Sequence, residues 1–313
     1  MKLVNDAQIA KAIILSPDFK TYSMAERYRE LSRRAGIDFS AVIKFLEWLP
    51  VFIDGEDHQR IRKVMGKQIS RTKEDQNAAI QKSLDNLFYR CFRPAAEIDL
   101  VADFAQPLWR SISASVAPRD ERTLELVDEI PALFSPILSI RERAKINEKI
   151  EAFLRSNSGA EDEDESLILL CLASLGARPF VGSLGLSLYE VFRSNPNLPM
   201  HELSWPGTFP SSSLTFVDRM CQATAGYSGL TVEKGERVRC ITQSPSYSID
   251  ENRRALFGFG AHTCLGKSVS ERAWSLVVDK LSKSDLRAEC VSIEMSLHDD
   301  PFKMPVTIEI RLH

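Results

Sequence analysis

The apolar stretch at residues 166–193 constrains the fold of this chain more than any other part of the sequence. Its 28 residues, SLILLCLASLGARPFVGSLGLSLYEVFR, are apolar on nearly every side of a helix, which indicates a helix running through the middle of a protein core. A continuous helix of this length would be about 42 Å long. Pro179 cannot donate a hydrogen bond to the carbonyl of Leu175, and the glycines nearby weaken the same turns. We therefore expect a long core helix that is distorted in its middle.

Charge and composition exclude several classes of protein. The chain has 313 residues, of which 44% are hydrophobic and 27% are charged, and these values are typical of a globular protein. The 40 Lys and Arg residues balance 43 Asp and Glu residues to a formal net charge of −3. No large positive field is then available to bind nucleic acid or an anionic membrane, so we expect neither partner.

The N-terminus and the apolar runs predict where the protein is located. The first residues, MKLVNDAQIAKAIIL, include Asp6 and Lys11 and lack a cleavable signal pattern. The longest apolar run, residues 167–177, has 11 residues, which is too short to span a bilayer. We therefore expect a cytoplasmic protein that does not enter a membrane.

Helical periodicity dominates most of the chain. Asp54 is a candidate N-cap for a helix in which His58 and Arg62 lie four residues apart on one face. Further helices are expected at residues 83–90, 100–114 and 140–155, and directly after Cys264.

Few stretches are typical of strands. Residues 229–232 and 237–241 are expected to form a hairpin through the turn EKGE, with Gly235 at its tip. The tail KMPVTIEIRL, residues 303–312, is a candidate closing strand. The sequence contains no internal repeat and no linker-like segment. We therefore predict a single domain, residues 1–313, that is mainly α with a small β portion.

One cysteine differs from the other five. The six cysteines contain no C-x-x-C pair, which disfavours a zinc site, and the chain is too large to need a disulfide framework. Cys264 lies in FGFGAHTCLG, residues 257–266, where three glycines allow the backbone to fold tightly around one sulfur. The N–H groups at the start of the following helix would point at that sulfur. Both features favour a thiolate, which suits axial binding of haem iron. A glycine-rich turn around an ordinary buried cysteine is the alternative interpretation.

The same loop resembles the haem-binding loop of the cytochrome P450 family. Phe257, Gly260, His262, Cys264 and Gly266 match, in order, the phenylalanine, glycine, basic, cysteine and final glycine positions of that loop. The resemblance extends over roughly residues 46–312 and implies a cytochrome P450-like haem-thiolate fold. It also implies haem b as the cofactor, with the Cys264 thiolate as the iron ligand.

The resemblance assigns four basic residues to the haem propionates. The segment GEDHQRIRK is similar to the C helix of the family, where His58 and Arg62 would hold one propionate. Arg219 falls on the strand that meets the other propionate, and His262 also faces a propionate in the family's loop. Carboxylates in an apolar cleft need charge-assisted hydrogen bonds, which these four groups would supply. Without the resemblance, each of His58, Arg62 and Arg219 is an ordinary surface residue with no ligand.

The centre of the apolar stretch departs from the family pattern. The helix resembles the family's I helix, whose centre carries an acid and a threonine that deliver protons. Arg178 and Pro179 stand at those positions, and an arginine cannot shuttle protons at neutral pH. Arg-Pro resembles the fatty-acid peroxygenase branch, in which the arginine pairs with the substrate carboxylate. Arg178 and Pro179 are therefore the candidate catalytic residues. Alternatively, Arg178 blocks a pocket that has lost oxygen activation.

Other departures make the chain a trimmed, divergent relative of the family. The family's Glu-x-x-Arg motif is missing, because Glu190 and Arg193 fall at the end of the I-helix stretch and Trp205 stands where the arginine should follow Glu202. The J and K helices and the meander region are short. We also expect the N-terminus to lack most of the family's first β-sheet.

Two functional hypotheses follow from these residues. The first is a haem-thiolate oxidoreductase, a P450-type monooxygenase or peroxygenase that acts on a small organic substrate in a biosynthetic tailoring step. A carboxylic acid is one candidate substrate, and the oxidation would use peroxide or be otherwise atypical. Its redox partner would be a ferredoxin, or none if peroxide is the oxidant. The second is a non-oxygenating haem-binding homologue that senses, binds a ligand or assists a partner protein. In a third, weaker hypothesis the protein is haem-free.

Overall fold

The structure is a computed structural model that describes residues 1–116, 121–157, 163–227, 229–244, 246–296 and 301–313. Over these ranges helices predominate, and strands are few and short. The helices are α1 (Ala7–Leu15), α2 (Met24–Ala35), α3 (Ser40–Glu47), α4 (Gly55–Arg71), α5 (Lys73–Cys91), α6 (Gln106–Val116), α7 (Glu121–Glu129), α8 (Ile140–Asn157), α9 (Glu163–Leu175), α10 (Ala177–Ser194), α11 (Ile249–Ala255) and α12 (Lys267–Leu281). This helix-rich architecture with a small β portion agrees with the predicted fold class. The predicted single-domain organisation stays a prediction.

The strands of the described ranges form two sheets and a separate two-stranded ribbon. The strands are β1 (Lys2–Val4), β2 (Phe19–Thr21), β3 (Glu97–Asp99), β4 (Phe216–Cys221), β5 (Ala225–Tyr227), β6 (Leu230–Val232), β7 (Arg237–Ile241), β8 (Ala288–Met295) and β9 (Pro305–Leu312). The first sheet has the order β1-β7-β4-β2, the second β3-β9-β8, and β5 pairs with β6. The closing strand predicted from the tail sequence is confirmed as β9.

The long apolar stretch forms two consecutive core helices, as its sequence predicts. Helix α9 ends at Leu175 and α10 begins at Ala177, with Gly176 between them. The predicted distortion is therefore present, and it lies three residues before Pro179. Because Pro179 has no N–H, the Leu175 carbonyl lacks its regular i+4 donor at this point.

The helical run Asp164–Ser194 is long and apolar enough, by length and composition, to cross a membrane. Much of it is buried inside the protein, where Leu167, Leu184 and Leu188 have no solvent exposure. A core helix satisfies the same criterion of length and composition. The burial of α9 and α10 matches that interpretation.

Helix α4 begins where the sequence predicts, but its cap differs. Asp54 precedes the helix with extended backbone, and its side chain makes no capping hydrogen bond. The carboxylate instead accepts hydrogen bonds from Thr21 and His262. The predicted capping role of Asp54 is therefore wrong, because two distant partners bind its side chain in preference to the helix terminus.

The predicted hairpin between residues 229–232 and 237–241 is also wrong. Both strands exist, but β6 pairs with β5, whereas β7 pairs with β4 and β1. The turn around Gly235 docks on β4: the Gly235 N–H donates to the Cys221 carbonyl, and the Cys221 N–H donates to the Glu236 carbonyl. A strand that joins a larger sheet gains more hydrogen bonds than one paired only with its neighbour in sequence.

The N-terminal segment contributes to the first sheet. Strands β1 and β2 have three residues each, and they form the two edges of the sheet. The sequence did not predict these strands, because three-residue strands leave almost no alternation to detect. They bring the first 21 residues next to β4 and β7, the strands that carry Arg219 and Cys240.

The segment at residues 195–215 contains a single 3₁₀ turn, Met200–Glu202, and no α helix. It is held along α10 by serines: the Ser211 N–H donates to Ser187 Oγ over 3.1 Å and the Ser213 N–H to Ser183 Oγ over 3.0 Å. This extended course fits the shortening of the J and K region that the sequence predicts.

Aromatic side chains attach the same segment to α12. Trp274 of α12 donates from Nε1 to the Pro206 carbonyl over 2.8 Å. Its ring lies 5.0 Å from the Phe209 ring and 6.4 Å from the Trp205 ring, measured between centroids. Trp205 is therefore a packing residue. Glu202 lies at the surface, 3.6 Å from His201.

Candidate functional site

The cysteine loop folds tightly, as its glycines predict. Gly258 and Gly260 have backbone φ angles of 72° and 61°, in the left-handed region that favours glycine. The loop closes on itself, because the Cys264 N–H donates to the Phe257 carbonyl over 2.7 Å. Gly260 also packs closely, since a Cβ there would lie 2.7 Å from Leu15 Cδ2.

The sulfur of Cys264 accepts hydrogen bonds from the backbone N–H groups of Gly266 and Lys267. This confirms that the start of α12 points its N–H groups at the sulfur. The thiolate is not favoured, however: desolvation raises the pKa of Cys264, and the two N–H groups and the Arg62 charge offset this only in part. The predicted preference for a thiolate is therefore wrong for the protein groups alone.

His58 is the most unusual of the basic residues around the loop. It is only 3% exposed, and its Nε2 is buried with no hydrogen-bond partner among the residues that the structure describes. Its ring stacks on the His262 ring with centroids 4.2 Å apart. Burial, together with the nearby positive charges of His262 and Arg62, lowers the pKa of His58 to about 4. A neutral, buried imidazole with a free nitrogen is costly unless a further group binds it.

Arg62 follows His58 by one turn of α4 and reaches the cysteine loop directly. Its Nη2 donates over 2.7 Å to the carbonyl of Thr263, the residue that precedes Cys264. Burial lowers the pKa of Arg62, and the charge interaction with Cys264 opposes that effect. The predicted pair of His58 and Arg62 on one helix face is therefore positioned against the loop.

Arg219 belongs to strand β4, and its side chain is 6% exposed. Its Nη1 donates to the Asp218 carbonyl over 3.0 Å. Burial lowers the pKa of Arg219, while nearby acidic groups, including Cys240 and Asp54, oppose the shift.

Asp54 is the residue that the sequence did not assign to the site. Its Oδ1 lies 2.8 Å from His262 Nε2, and its Oδ2 accepts from both the N–H and the hydroxyl of Thr21 over 2.7 Å. Burial alone would raise the pKa of Asp54, but these hydrogen bonds and the His262 charge hold it well below its usual range. The carboxylate joins β2, the start of α4 and the cysteine loop. The sequence carries no signal for this link except the acid's position four residues before His58.

Phe257 and Gly266 flank the cysteine as predicted. The Phe257 ring is half-buried, with Lys267 Nζ 5.7 Å from its centroid. A Cβ on Gly266 would lie 3.8 Å from Cys264 Sγ, which is an ordinary van der Waals contact. The two residues therefore shape the surroundings of Cys264.

Arg178 and Pro179 lie in the first turn of α10, directly after the break at Gly176. Both residues are half-buried. The Pro179 carbonyl accepts a hydrogen bond from Ser213 Oγ over 3.2 Å, which ties this turn to the segment along α10. The catalytic role that the sequence assigns to these two residues stays a prediction.

The donor set of the site fits a cofactor that carries carboxylates and a metal with one protein ligand. No group of three or more His, Cys, Asp and Glu that could hold a metal ion occurs in the described ranges; Cys264 would be the protein ligand of a haem iron. Among the described residues the buried Nε2 of His58 lacks an acceptor, and a carboxylate is an acceptor of the right charge for this basic set. Haem meets both requirements.

Comparison with known proteins identifies the fold. No protein-family model and no curated protein sequence matches the chain. Among solved structures, P450BioI in complex with an acyl carrier protein ligated to hexadec-9Z-enoic acid is 15% identical, with a TM-score of 0.76 over 99% of this chain and 92% of that chain. Epothilone D-bound cytochrome P450epoK is 13% identical, with a TM-score of 0.73 over 99% and 90%. P450 RauA, complexed with a biosynthetic intermediate of aurachin RE, is 13% identical, with a TM-score of 0.72 over 99% and 90%. The predicted fold is therefore confirmed.

Proposed function

We propose that this chain, which has the cytochrome P450 fold, is a haem-thiolate oxidoreductase that acts on a small organic substrate. One observation carries the proposal: the Cys264 sulfur accepts two backbone N–H groups, and the basic set around its loop includes a buried His58 Nε2 that lacks a partner among the described residues. Haem, when bound, supplies the redox chemistry at its iron.

The residues of the cysteine loop and of α4 would hold the cofactor. Cys264 would ligate the iron of haem b as a thiolate. The metal's positive charge would lower the pKa of the thiol, which the protein groups alone do not achieve. The carboxylates would be bound by the basic residues of the site, and the loop would be shaped around the sulfur by its aromatic and glycine residues. These residues are His58, Arg62, Arg219 and His262 for the carboxylates, and Phe257, Gly260 and Gly266 for the loop.

We propose a carboxylic acid as the substrate class, bound by Arg178. A guanidinium matches a carboxylate with two parallel hydrogen bonds. Arg178 is half-buried in the first turn of α10, in the core helix pair. In this role Arg178 binds and orients the acid, and the carboxylate of the substrate holds and returns the proton that a side-chain acid would otherwise carry. Peroxide is then the favoured oxidant, and with peroxide no redox partner is needed. If oxygen is the oxidant instead, a ferredoxin is the redox partner.

The relatives of known structure support a biosynthetic role. P450BioI was solved with a fatty acyl chain on an acyl carrier protein, and P450 RauA with a biosynthetic intermediate. We therefore include a tailoring step in biosynthesis and a protein partner that presents the substrate in the proposal. The cytoplasmic location stays a prediction.

Two measurements test the proposal. The protein is purified, supplied with haem and assayed for bound haem per chain, with Cys264→Ala as the variant and Cys290→Ala, a half-buried cysteine outside the site, as the matched control. Thiolate-type spectra in the wild type and the control, but not in Cys264→Ala, support the cofactor assignment. Turnover of a fatty acid with peroxide alone supports the peroxygenase reading, whereas dependence on NADPH, a reductase and a ferredoxin contradicts it.

A second candidate function is a haem-binding homologue without oxygenase activity that senses, binds a ligand or assists a partner enzyme. The observation that favours it is the pair of departures at Arg178-Pro179 and at Trp205, where the family's proton-delivering residues and ion pair are missing. A protein that binds haem, fails to turn over with either oxidant system and changes the activity of an added partner enzyme would support this candidate. A protein that binds no haem would contradict both functions.

A further inference from the structure

The break between α9 and α10 is occupied by a tryptophan from another helix. A Cβ built on Gly176 would lie 1.9 Å from Cη2 of Trp109 and 2.6 Å from its Cζ2 and Cζ3. Real Cβ atoms do not approach other heavy atoms this closely, so the six-membered ring of Trp109 occupies space that only a glycine leaves open. Helix α6, which carries Trp109, therefore inserts a side chain into the break of the core helix.

The same helix binds the break at a second point. Ser113 lies one turn after Trp109 on α6 and is 2% exposed. Its hydroxyl donates to the Ala173 carbonyl, in the last turn of α9, over 3.0 Å. A carbonyl in the disrupted turns thus receives its hydrogen bond from a side chain of α6, which stabilises the helix end in its broken form.

Trp109 contacts both sides of the turn that carries Arg178. Its ring lies against Gly176 on one side, and its centroid is 5.5 Å from the Phe180 ring on the other. Phe180 is in turn 6.3 Å from Phe209 of the segment along α10. The turn between these two contacts is the first turn of α10 and carries Arg178. Trp109 therefore packs against residues on both sides of Arg178 in the sequence.

We propose that Trp109 is a positioning residue for Arg178. Its ring wedges the break open and fixes the first turn of α10, so that the Arg178 guanidinium is held in the orientation that binds the substrate carboxylate. Trp109 acts through Arg178 and does not itself contact the substrate. This inference rests on the proposed function, because it names the residue that determines carboxylate selectivity at the same site.

The wedge itself is tested by thermal unfolding of four proteins: wild type, Gly176→Ala, Trp109→Leu and the double variant. Overpacking by the alanine should lower the Tm of Gly176→Ala by about 5 °C. In the Trp109→Leu background the smaller side chain makes room for the added Cβ, so the same substitution should lower the Tm by less than half of that. If Gly176→Ala lowered the Tm equally in both backgrounds, the inference that the Trp109 ring occupies this space would be contradicted.

The positioning role is tested by titrating haem-loaded protein with hexadecanoic acid and with hexadecan-1-ol, following the haem spectrum at matched haem content. The substitution Arg178→Gln should weaken binding of the acid about tenfold and leave the alcohol unchanged. Trp109→Leu should weaken binding of the acid by at least about fivefold and leave binding of the alcohol unchanged. Trp109→Phe keeps an aromatic ring and should retain most of the affinity for the acid.

The outcomes separate this inference from the proposed function. If Arg178→Gln leaves acid binding unchanged, Arg178 does not bind the substrate carboxylate, and the inference about Trp109 is contradicted as well. If Arg178→Gln weakens acid binding and Trp109→Leu does not, or if Trp109→Leu weakens acid and alcohol equally, only the positioning role of Trp109 is overturned. Trp109→Phe provides a variant that should fold if Trp109→Leu does not.

Discussion

Replacing Asp54 by asparagine should measure how strongly the cysteine loop is tied to the N-terminal strands. The carboxylate accepts one hydrogen bond from His262 over 2.8 Å and two from Thr21 over 2.7 Å. An asparagine of the same shape has one acceptor oxygen, so it cannot accept from both partners and carries no charge. A hydrogen bond to a charged group contributes about 1.5–3 kcal/mol.

The lower end of that range applies, because the Asp54 side chain is 30% exposed. We therefore expect Asp54→Asn to lower the free energy of unfolding by about 1.5 kcal/mol, or the Tm by about 4 °C. Asp57→Asn is the matched control: Asp57 lies one turn into the same helix and pairs with Arg60 over 3.3 Å, but both side chains are exposed. That pair should contribute about 0–0.5 kcal/mol.

The effect of Asp54 should also depend on pH. The pKa of Asp54 is lowered in the folded protein, so its stabilisation is fully present above the pKa of an unfolded aspartate, about 3.9, and is lost as the pH falls through the folded value. Unfolding of the apoprotein, followed by circular dichroism, should show a gap between wild type and Asp54→Asn at about pH 5 that shrinks below about pH 4. A variant as stable as Asp57→Asn, or a gap that persists in acid, would refute this account of Asp54.

Two further substitutions test other parts of the site. Changing His58 to Phe removes a buried nitrogen that lacks a partner among the described residues. The apoprotein should therefore become more stable by about 1 kcal/mol, while its affinity for haem should fall. A less stable apoprotein would contradict the account. Changing Gly260 to Ala introduces a side chain at φ 61°, 2.7 Å from Leu15, and should cost about 1–2 kcal/mol in chemical denaturation, whereas Gly207→Ala, at an open position, should have little effect.

Local features of the site could be predicted from the sequence. The tight loop around Cys264 follows from Gly258 and Gly260, which adopt the left-handed backbone that their residue type allows. The break in the core helix follows from Gly176 and Pro179, which lie within one turn of each other. In these cases the residues that determine the geometry are close together in the chain, and their backbone preferences act directly.

Features that depend on distant contacts could not be predicted. Asp54 binds His262, 208 residues away, rather than capping its own helix. The strand β7 pairs with β4 and β1 instead of its sequence neighbour. Trp109 fills the break at Gly176 from a helix that lies some sixty residues earlier in the chain. Sequence patterns describe the preference of each segment, whereas these contacts are decided by which segments the complete fold brings together.

The preference of Cys264 for the thiol is a fourth such feature. The N–H groups of α12 point at the sulfur as predicted, but desolvation, which depends on the whole surrounding fold, outweighs them. The helix terminus alone was therefore an incomplete guide to the charge state, and a bound metal would be needed to reverse it.

The most direct test of the central claim is the spectrum of the reduced carbon monoxide complex of the haem-loaded protein. We predict a band in the region specific to thiolate-ligated haem in the wild type, with about one haem per chain, and loss of that band in Cys264→Ala while the variant remains folded by circular dichroism. A protein that folds but binds no haem, or that gives a carbon monoxide complex unaffected by the loss of Cys264, would contradict the assignment of this site.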